Sequence, residues 1–191
     1  MKAAVIYGSV RSHRQGIRAA RFVARQLELR GHEVHFVDPL EYRLPLLERR
    51  YSEYEESEAP EPMRRLSALL GSSDALIFVT GEYNHGVPPA LKNLIDHFAP
   101  EYRWRVAAIA SYSAGGFGGI RAALQLRTIL AGVGLMTMPQ VFPMSTVHKS
   151  FNEDGEALDE AYATRIPAFL QELEWYAAAL AAARSKGLPA G

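Results

Sequence analysis

The chain has 191 residues, 48% of them hydrophobic and 22% charged, which suffices for one substantial core and is short for two, so we predict one domain over residues 1–191. Lysine plus arginine and aspartate plus glutamate both number 21, so no net positive charge draws the protein to nucleic acid or to an anionic membrane. Cysteine is absent, which excludes disulfides, iron–sulfur ligation and thiol redox chemistry. Any redox reaction therefore needs a bound cofactor.

The N-terminal segment, MKAAVIYGSV, lacks the longer apolar stretch and the cleavage site of a signal peptide. No later stretch reaches the ~18 apolar residues that a membrane span requires. We therefore predict a cytoplasmic protein that has neither a membrane nor a nucleic acid as a partner.

Apolar runs of strand length alternate with helical patterns along the chain. The strand-like runs lie at residues 3–7, 34–37, 75–80, 106–111 and 135–142, and the helical patterns at 17–27, 91–98, 120–130 and 166–180. Strands that are apolar on both faces and separated by helices indicate a parallel sheet with helices on both faces. We predict a doubly wound five-stranded α/β sheet, in which ligands bind beyond the carboxyl ends of the strands.

The interval 49–62, RRYSEYEESEAPEP, has neither a helical nor a strand period, and it predicts a long surface loop. Loops of this length are uncommon without a role. A plain connection, a lid on the substrate side and a subunit contact all remain open.

Residues 8–16, GSVRSHRQG, join the first strand to the first helix. Free N–H groups at a helix N-terminus favour an anion, and the hydroxyl of Ser9 with the guanidinium groups of Arg11 and Arg14 would complete a phosphate site. The segment matches neither the P-loop nor the GxGxxG pattern, so a mononucleotide phosphate fits best. An ordinary turn with solvated arginines is the alternative.

Residues 81–89, GEYNHGVPP, follow the third strand and place polar groups at its end. Backbone groups there could hold the polar edge of a flat heteroaromatic ring, and Tyr83 or Asn84 could add a stacking surface and an amide. For Glu82 and His85, solvated surface positions are as consistent with the pattern as a functional role.

Residues 111–119, SYSAGGFGG, follow the fourth strand, and their four glycines would let a planar ligand approach the backbone closely. A hydrolase elbow at Ser113 is excluded in its usual form, because no acid lies between Ser113 and His148, the last histidine. The histidines of HEVH, residues 32–35, lack the helical spacing of a zinc site. We predict no metal.

Together, GSVRSHRQG, GEYNHGVPPALKNLIDHF and SYSAGGFGGIRA resemble the NADPH-dependent FMN reductase family, over residues 1 to about 134. The resemblance implies a flavodoxin-like fold with strand order 2-1-3-4-5 and FMN as cofactor. By position, it implies phosphate contacts from Ser9, Arg11, Gln15, Gly16 and Ile17, and ring contacts from Glu82, Tyr83, Asn84, Ser113, Gly115 and Gly116. The chain has Gly81 where the family's second loop usually has proline.

The resemblance further implies an NAD(P)H-dependent oxidoreductase that reduces free flavin, a quinone or an azo compound, and that assembles as a homodimer or tetramer. Helices at 91–98 and 124–130 are candidate subunit contacts. Hydride transfer through a flavin needs no side-chain nucleophile or base, so we assign no catalytic residue. The choice between NADPH and NADH, and between FMN and FAD, stays open at this point.

Two other functions fit a flavin-binding chain. A flavodoxin-like electron carrier would dock on basic partners through an acidic face, and the chain is neutral overall, apart from the cluster Glu53, Glu55, Glu56, Glu58 and Glu61. A redox-sensing module would signal through the 49–62 loop.

Overall fold

Five parallel strands form the centre of the fold in the computed structural model, which describes residues 1–55 and 57–189. They are β1 (Lys2–Tyr7), β2 (Glu33–Val37), β3 (Ala75–Thr80), β4 (Val106–Tyr112) and β5 (Met136–Met144). Each neighbouring pair is parallel, and the order is β2-β1-β3-β4-β5. This confirms the predicted order and the doubly wound, flavodoxin-like fold.

Helices cover both faces of the sheet. They are α1 (Ile17–Leu29), α2 (Pro39–Tyr42), α3 (Glu61–Ser72), α4 (Pro89–Asp96), α5 (Ile120–Gly132), α6 (Val147–Ser150) and α7 (Glu160–Arg184). One core lies between the sheet and α1 with α7, and the other between the sheet and α3, α4 and α5. The four predicted helical patterns correspond to α1, α4, α5 and α7. No helix in the described part of the chain is long and apolar enough to cross a membrane.

The core beneath α1 and α7 is rich in aromatic rings. Phe22 on α1 is fully buried, and its ring centroid lies 4.8 Å from that of Phe151 and 6.4 Å from that of Phe142. Phe142 in turn lies 5.2 Å from Phe169 on α7. Offset and tilted ring pairs at such distances add to the hydrophobic stabilisation of a core. This cluster joins α1, β5 and α7.

The 49–62 interval is mostly irregular, as the sequence predicts. It contains one 3-10 turn at Tyr51–Glu53, and α3 begins at Glu61. The loop is anchored at its start, since the amide of Tyr51 donates to the carbonyl of His97 at 2.8 Å. Residues 56, 190 and 191, which belong to the predicted domain, lie outside the described residues, and so does the Glu56 member of the acidic cluster.

A charged cluster fastens α7 to the start of β2. Glu174 accepts hydrogen bonds from Arg30 at 2.5 and 2.6 Å, and its Oε1 lies 2.7 Å from Nε2 of His32. The hydrogen bonds from Arg30 lower the pKa of Glu174 to about 2, against the opposing effect of burial, and His32 adds to the lowering. His32, part of the HEVH segment, therefore pairs with Glu174 in this cluster.

Glu174→Gln should destabilise the fold by about 1–3 kcal/mol at neutral pH. Because the pKa is lowered in the folded state, the contribution is complete above the ordinary value of 4.5 and is lost as the pH falls toward about 2. Urea unfolding of both proteins between pH 7 and low pH measures it. The difference should shrink with acidification, whereas Glu172→Gln on the same helix should change stability by less than ~0.5 kcal/mol.

Candidate functional site

The loops after β1, β3 and β4 meet at one edge of the sheet around a cavity of about 190 Å³. Seven of the predicted contact residues line the cavity: Ser9, Arg11, Gln15, Gly16, Glu82, Tyr83 and Ser113. Ile17, Asn84, Gly115 and Gly116 are not among the lining residues. A larger cavity of about 270 Å³ beside α2 and α4 is mostly apolar and contains none of the predicted residues. The smaller cavity is therefore the candidate site.

In the first loop, Ser9 is buried, and its Oγ lies 2.7 Å from the Tyr83 hydroxyl of the second loop. Arg14 does not offer a free charge to the cavity. Its Nη1 donates to Asp38 at 2.6 Å and to the Ser9 carbonyl at 3.3 Å, and the Asp38 hydrogen bond raises the pKa of Arg14. Asp38 is only 6% exposed and also caps α2. The exposed Arg11 is left as the guanidinium available to an anion.

The N-terminus of α1 faces the cavity at Gly16, which is the N-cap residue. A Cβ at this position would lie 2.0 Å from Cε2 of Tyr112, so the ring of Tyr112 requires glycine here. Sequence reasoning placed Tyr112 in the third loop without assigning it a role. The sequence gives no sign that Tyr112 lines the cavity, because aromatic residues at the end of an apolar strand are common in cores.

The second loop is a tight turn. Tyr83 and Gly86 exchange N–H···O hydrogen bonds of 3.0 Å, and the two residues between them have positive φ, 48° at Asn84 and 69° at His85. Two successive left-handed residues are typical of a type I′ turn, and asparagine tolerates that conformation well. The turn leaves both side chains exposed and sets the Tyr83 hydroxyl against Ser9. For His85 the surface alternative fits this geometry.

Glu82 links the second loop to the third. Its Oε2 accepts from the amides of Arg121 and Ala122 at 3.1 and 3.4 Å, and its Oε1 accepts from the Arg121 guanidinium at 3.1 Å. Burial raises the pKa of Glu82, but the Arg121 hydrogen bond and the two amides outweigh it, and the pKa is lowered. The carboxylate thus caps the N-terminus of α5, a role that sequence reasoning missed.

Glu82→Ala should destabilise the protein by about 1–2 kcal/mol, because the amides at the start of α5 lose a charged acceptor. Chemical denaturation at pH 7 measures the change. Glu48→Ala, at an exposed position away from any helix start, serves as the control and should alter stability by less than ~0.5 kcal/mol. An equal loss in both variants would contradict the capping role.

The third loop leaves its backbone open toward solvent. Ser113 Oγ donates to the Gly115 carbonyl at 2.8 Å and accepts from the Gly118 amide at 2.9 Å, which fixes the curve of the loop. A Cβ at Gly119 would lie 2.6 Å from the Tyr112 carbonyl oxygen, so the local fold requires glycine there. At Gly115 and Gly116 a Cβ would meet no heavy atom within 4 Å. Packing within the described part of the chain therefore does not require glycine at these two positions.

Metal binding and serine hydrolysis can also be compared with the structure. Over residues 1–55 and 57–189 there is no group of three histidine, aspartate or glutamate side chains that could hold a metal ion. The Ser113 hydroxyl is committed to its own loop through the two bonds described above. The site is a cavity between the N-terminus of α1 and the loops after β3 and β4, at the carboxyl ends of the strands, where ligands bind in doubly wound sheets.

Comparisons with known proteins agree with a flavodoxin-like, nucleotide-binding class of protein. Residues 1–149 match the model of the NADPH-dependent FMN reductase family, and the chain belongs to that family. It is 31% identical over 179 residues to an NAD(P)H-dependent FMN reductase of Saccharomyces cerevisiae, covering 78% of this chain and 91% of that protein. It is 28% identical over 157 residues to an NADPH azoreductase of a Bacillus species, covering 82% and 83%.

A solved structure is also similar, the flavoenzyme NAD(P)H:(acceptor) oxidoreductase FerB of Paracoccus denitrificans. The TM-score is 0.74 at 26% identity, over 92% of this chain and 96% of that one. These findings confirm the predicted family and place the three loops within its matched region.

Proposed function

We propose that the chain is an FMN-dependent NAD(P)H oxidoreductase that passes hydride from NADPH or NADH to free flavin, a quinone or an azo compound. One observation carries the proposal: three loops within the segment matched by the family model converge on one cavity, which is lined mainly by residues with polar or charged side chains. The relatives' names, FMN reductase, azoreductase and NAD(P)H:(acceptor) oxidoreductase, support a small-molecule acceptor.

In this proposal the first loop binds the FMN phosphate and the other two loops hold the flavin ring. The phosphate residues are Ser9, Arg11, Gln15, Gly16 and Ile17, and the ring residues are Glu82, Tyr83, Asn84, Ser113, Gly115 and Gly116. The open backbone at Gly115 and Gly116 and the α1 N-terminus fit a planar ring and a phosphate. A contact between Glu82 and the ring would come from its backbone, since its carboxylate accepts hydrogen bonds from the amides at the start of α5.

Bound FMN would supply the hydride chemistry, so the chain need only bind and orient. In this proposal, backbone amides around Gly115 and Gly116 would act as preorganised dipoles that stabilise the negative charge of a reduced flavin. We assign no side chain as a general acid, base or nucleophile. The neutral composition, with 21 acidic and 21 basic residues, argues against a carrier that docks through a strongly charged face.

We also propose a homodimer or tetramer. The apolar cavity beside α2 and α4 supports this, because it is bordered by exposed leucines, Leu46 at 82% and Leu40 at 39%. Exposed apolar surface of this kind is common at subunit contacts. The cavity lies along α4, one of the two helices expected to make that contact. We further propose that residues 1–191 form one domain and that the protein is cytoplasmic.

Steady-state kinetics of the FMN-loaded protein tests the function. Oxidation of NADPH and of NADH is followed with free flavin, a benzoquinone and an azo dye as acceptors, and the protein without FMN is the control. We expect FMN-dependent turnover with at least one acceptor and ping-pong kinetics, because donor and acceptor would use the same ring face in turn. Tight FMN binding without any turnover would contradict the reductase proposal and favour an electron carrier.

A further inference from the structure

Tyr112 places a buried hydroxyl at the candidate phosphate site. The side chain comes from the end of β4 and crosses to the loop after β1, where it lines the cavity together with Ser9 and Arg11. Tyr112 is only 8% exposed. Burial of a phenol is costly unless its hydroxyl finds a good hydrogen-bond partner.

The ring of Tyr112 is held between two glycines. The Tyr112 hydroxyl oxygen would lie 2.6 Å from a Cβ at Gly16 and 2.9 Å from a Cβ at Gly81. Both positions therefore need glycine to admit the phenol in this place. Gly81 is the residue that departs from the family's usual proline, and its lack of a side chain fits this packing. The hydroxyl is thus held against Gly16, the N-cap residue of α1.

Within the described residues, the hydroxyl of Tyr112 makes one long hydrogen bond, to Tyr7, and, against the effect of burial, the Ser9 hydroxyl is near enough to lower the pKa of Tyr112 slightly. Tyr112 donates to the Tyr7 hydroxyl at 3.4 Å, far longer than the usual 2.7–2.8 Å of such bonds. Tyr7 has an acceptor of its own, the Arg14 carbonyl at 3.5 Å. The Tyr112 proton can therefore turn toward a stronger acceptor without leaving Tyr7 unpaired.

We propose that the Tyr112 hydroxyl is a ligand of the flavin phosphate and a determinant of the preference for FMN over unphosphorylated flavin. This inference rests on the proposed FMN site. A phosphate oxygen would be the strong acceptor that the hydroxyl lacks, and an O–H···O⁻ bond of this kind is short and charge-assisted. Burial keeps the pKa of Tyr112 well above its ordinary value, with a further rise from Tyr7, so the hydroxyl stays protonated as a donor.

The loop after β1 offers few free charges to a phosphate, so a neutral hydrogen-bond donor such as Tyr112 would add to its binding. Arg14 is paired with Asp38, which leaves Arg11 as the free guanidinium beside the cavity. The Ser9 hydroxyl is shared with Tyr83 at 2.7 Å. A phosphate accepts several hydrogen bonds, and the helix amides, Ser9 and Tyr112 together would supply them.

The test is Tyr112→Phe, which keeps the ring between the glycines and removes only the hydroxyl. Dissociation constants for FMN and for riboflavin are measured by quenching of flavin fluorescence. We expect the FMN constant to rise about tenfold and the riboflavin constant to stay within about twofold, since one charge-assisted hydrogen bond is lost. Equal changes for both flavins, or no change for either, would overturn the assignment.

Tyr102→Phe is the matched control. Tyr102 is fully buried, and its hydroxyl has no hydrogen-bond partner among the described residues. This variant should leave both flavin constants unchanged and raise the melting temperature slightly, because an unsatisfied hydroxyl is removed. FMN binding by the wild-type protein distinguishes a failure of the proposed function from a failure of the proposed role of Tyr112. If the wild-type protein binds no FMN, the proposed function fails, and if it binds FMN while Tyr112→Phe binds equally well, only the role of Tyr112 fails.

Discussion

Arg11→Ala is expected to weaken FMN binding by about 1.5–3 kcal/mol, a rise of roughly 10- to 150-fold in the dissociation constant. Arg11 is exposed at the cavity, while the neighbouring Arg14 is neutralised by Asp38 at 2.6 Å. A phosphate bound in the first loop would therefore lose its main cationic partner. Fluorescence titration of FMN into both proteins measures the effect.

Arg64→Ala is the control for Arg11, since Arg64 is an exposed arginine on α3, which packs on the face of the sheet opposite to α1. It changes the net charge equally and should leave FMN affinity unaltered. Riboflavin affinity should change little in either variant. An unchanged FMN constant in Arg11→Ala would place the phosphate elsewhere.

Phe22→Ala should destabilise the fold by about 3–5 kcal/mol. Phe22 is fully buried and contacts the rings of Phe142 and Phe151, so its removal leaves a cavity where α1, β5 and α6 meet. Such a loss is a large fraction of the stability of an ordinary domain. Urea denaturation followed by circular dichroism measures the free energy of unfolding.

The same substitution at Phe117 is the comparison for Phe22. Phe117 is 71% exposed at the tip of the third loop, so Phe117→Ala should change the free energy of unfolding by less than ~0.5 kcal/mol. Similar losses in the two variants would contradict the assignment of the aromatic cluster as the centre of this core.

The sheet could be predicted from the sequence because its central strands are apolar on both faces. β3 is fully buried along its length, and so is β4. Such runs differ clearly from the half-exposed helices between them. β5 is less regular, since it contains Pro139 and Pro143 and alternates buried with exposed residues, and its predicted bounds were the least accurate. An edge strand tolerates proline because one side has no pairing partner.

Helix α3 had no counterpart in the prediction. Its buried residues, Met63, Leu66 and Leu70, do follow a helical period, but the acidic, proline-rich interval before them hid its start. Proline in the first helical turn is favourable because the missing N–H needs no partner there. Pro62 is therefore a start signal rather than a loop residue.

The three loops around the cavity could be located from local sequence signals, whereas the contacts between them depend on the tertiary structure. The loops after β1, β3 and β4 each contain glycines and a hydroxyl-bearing residue, and these residues identified the loops in the sequence. The Arg14–Asp38 pair joins residues 24 positions apart, and the capping of α5 by Glu82 spans 39 positions. Long-range pairs of this kind have no spacing rule in sequence, so neither the ion pair of Arg14 nor the cap formed by Glu82 could be predicted.

The most direct test of the proposed function is an absorbance spectrum of the protein after mixing with FMN and desalting, followed by anaerobic addition of NADPH or NADH. We predict that the yellow chromophore stays with the protein and bleaches rapidly with at least one of the two nucleotides. A protein that retains no flavin after mixing with saturating FMN would contradict the assignment of all three loops.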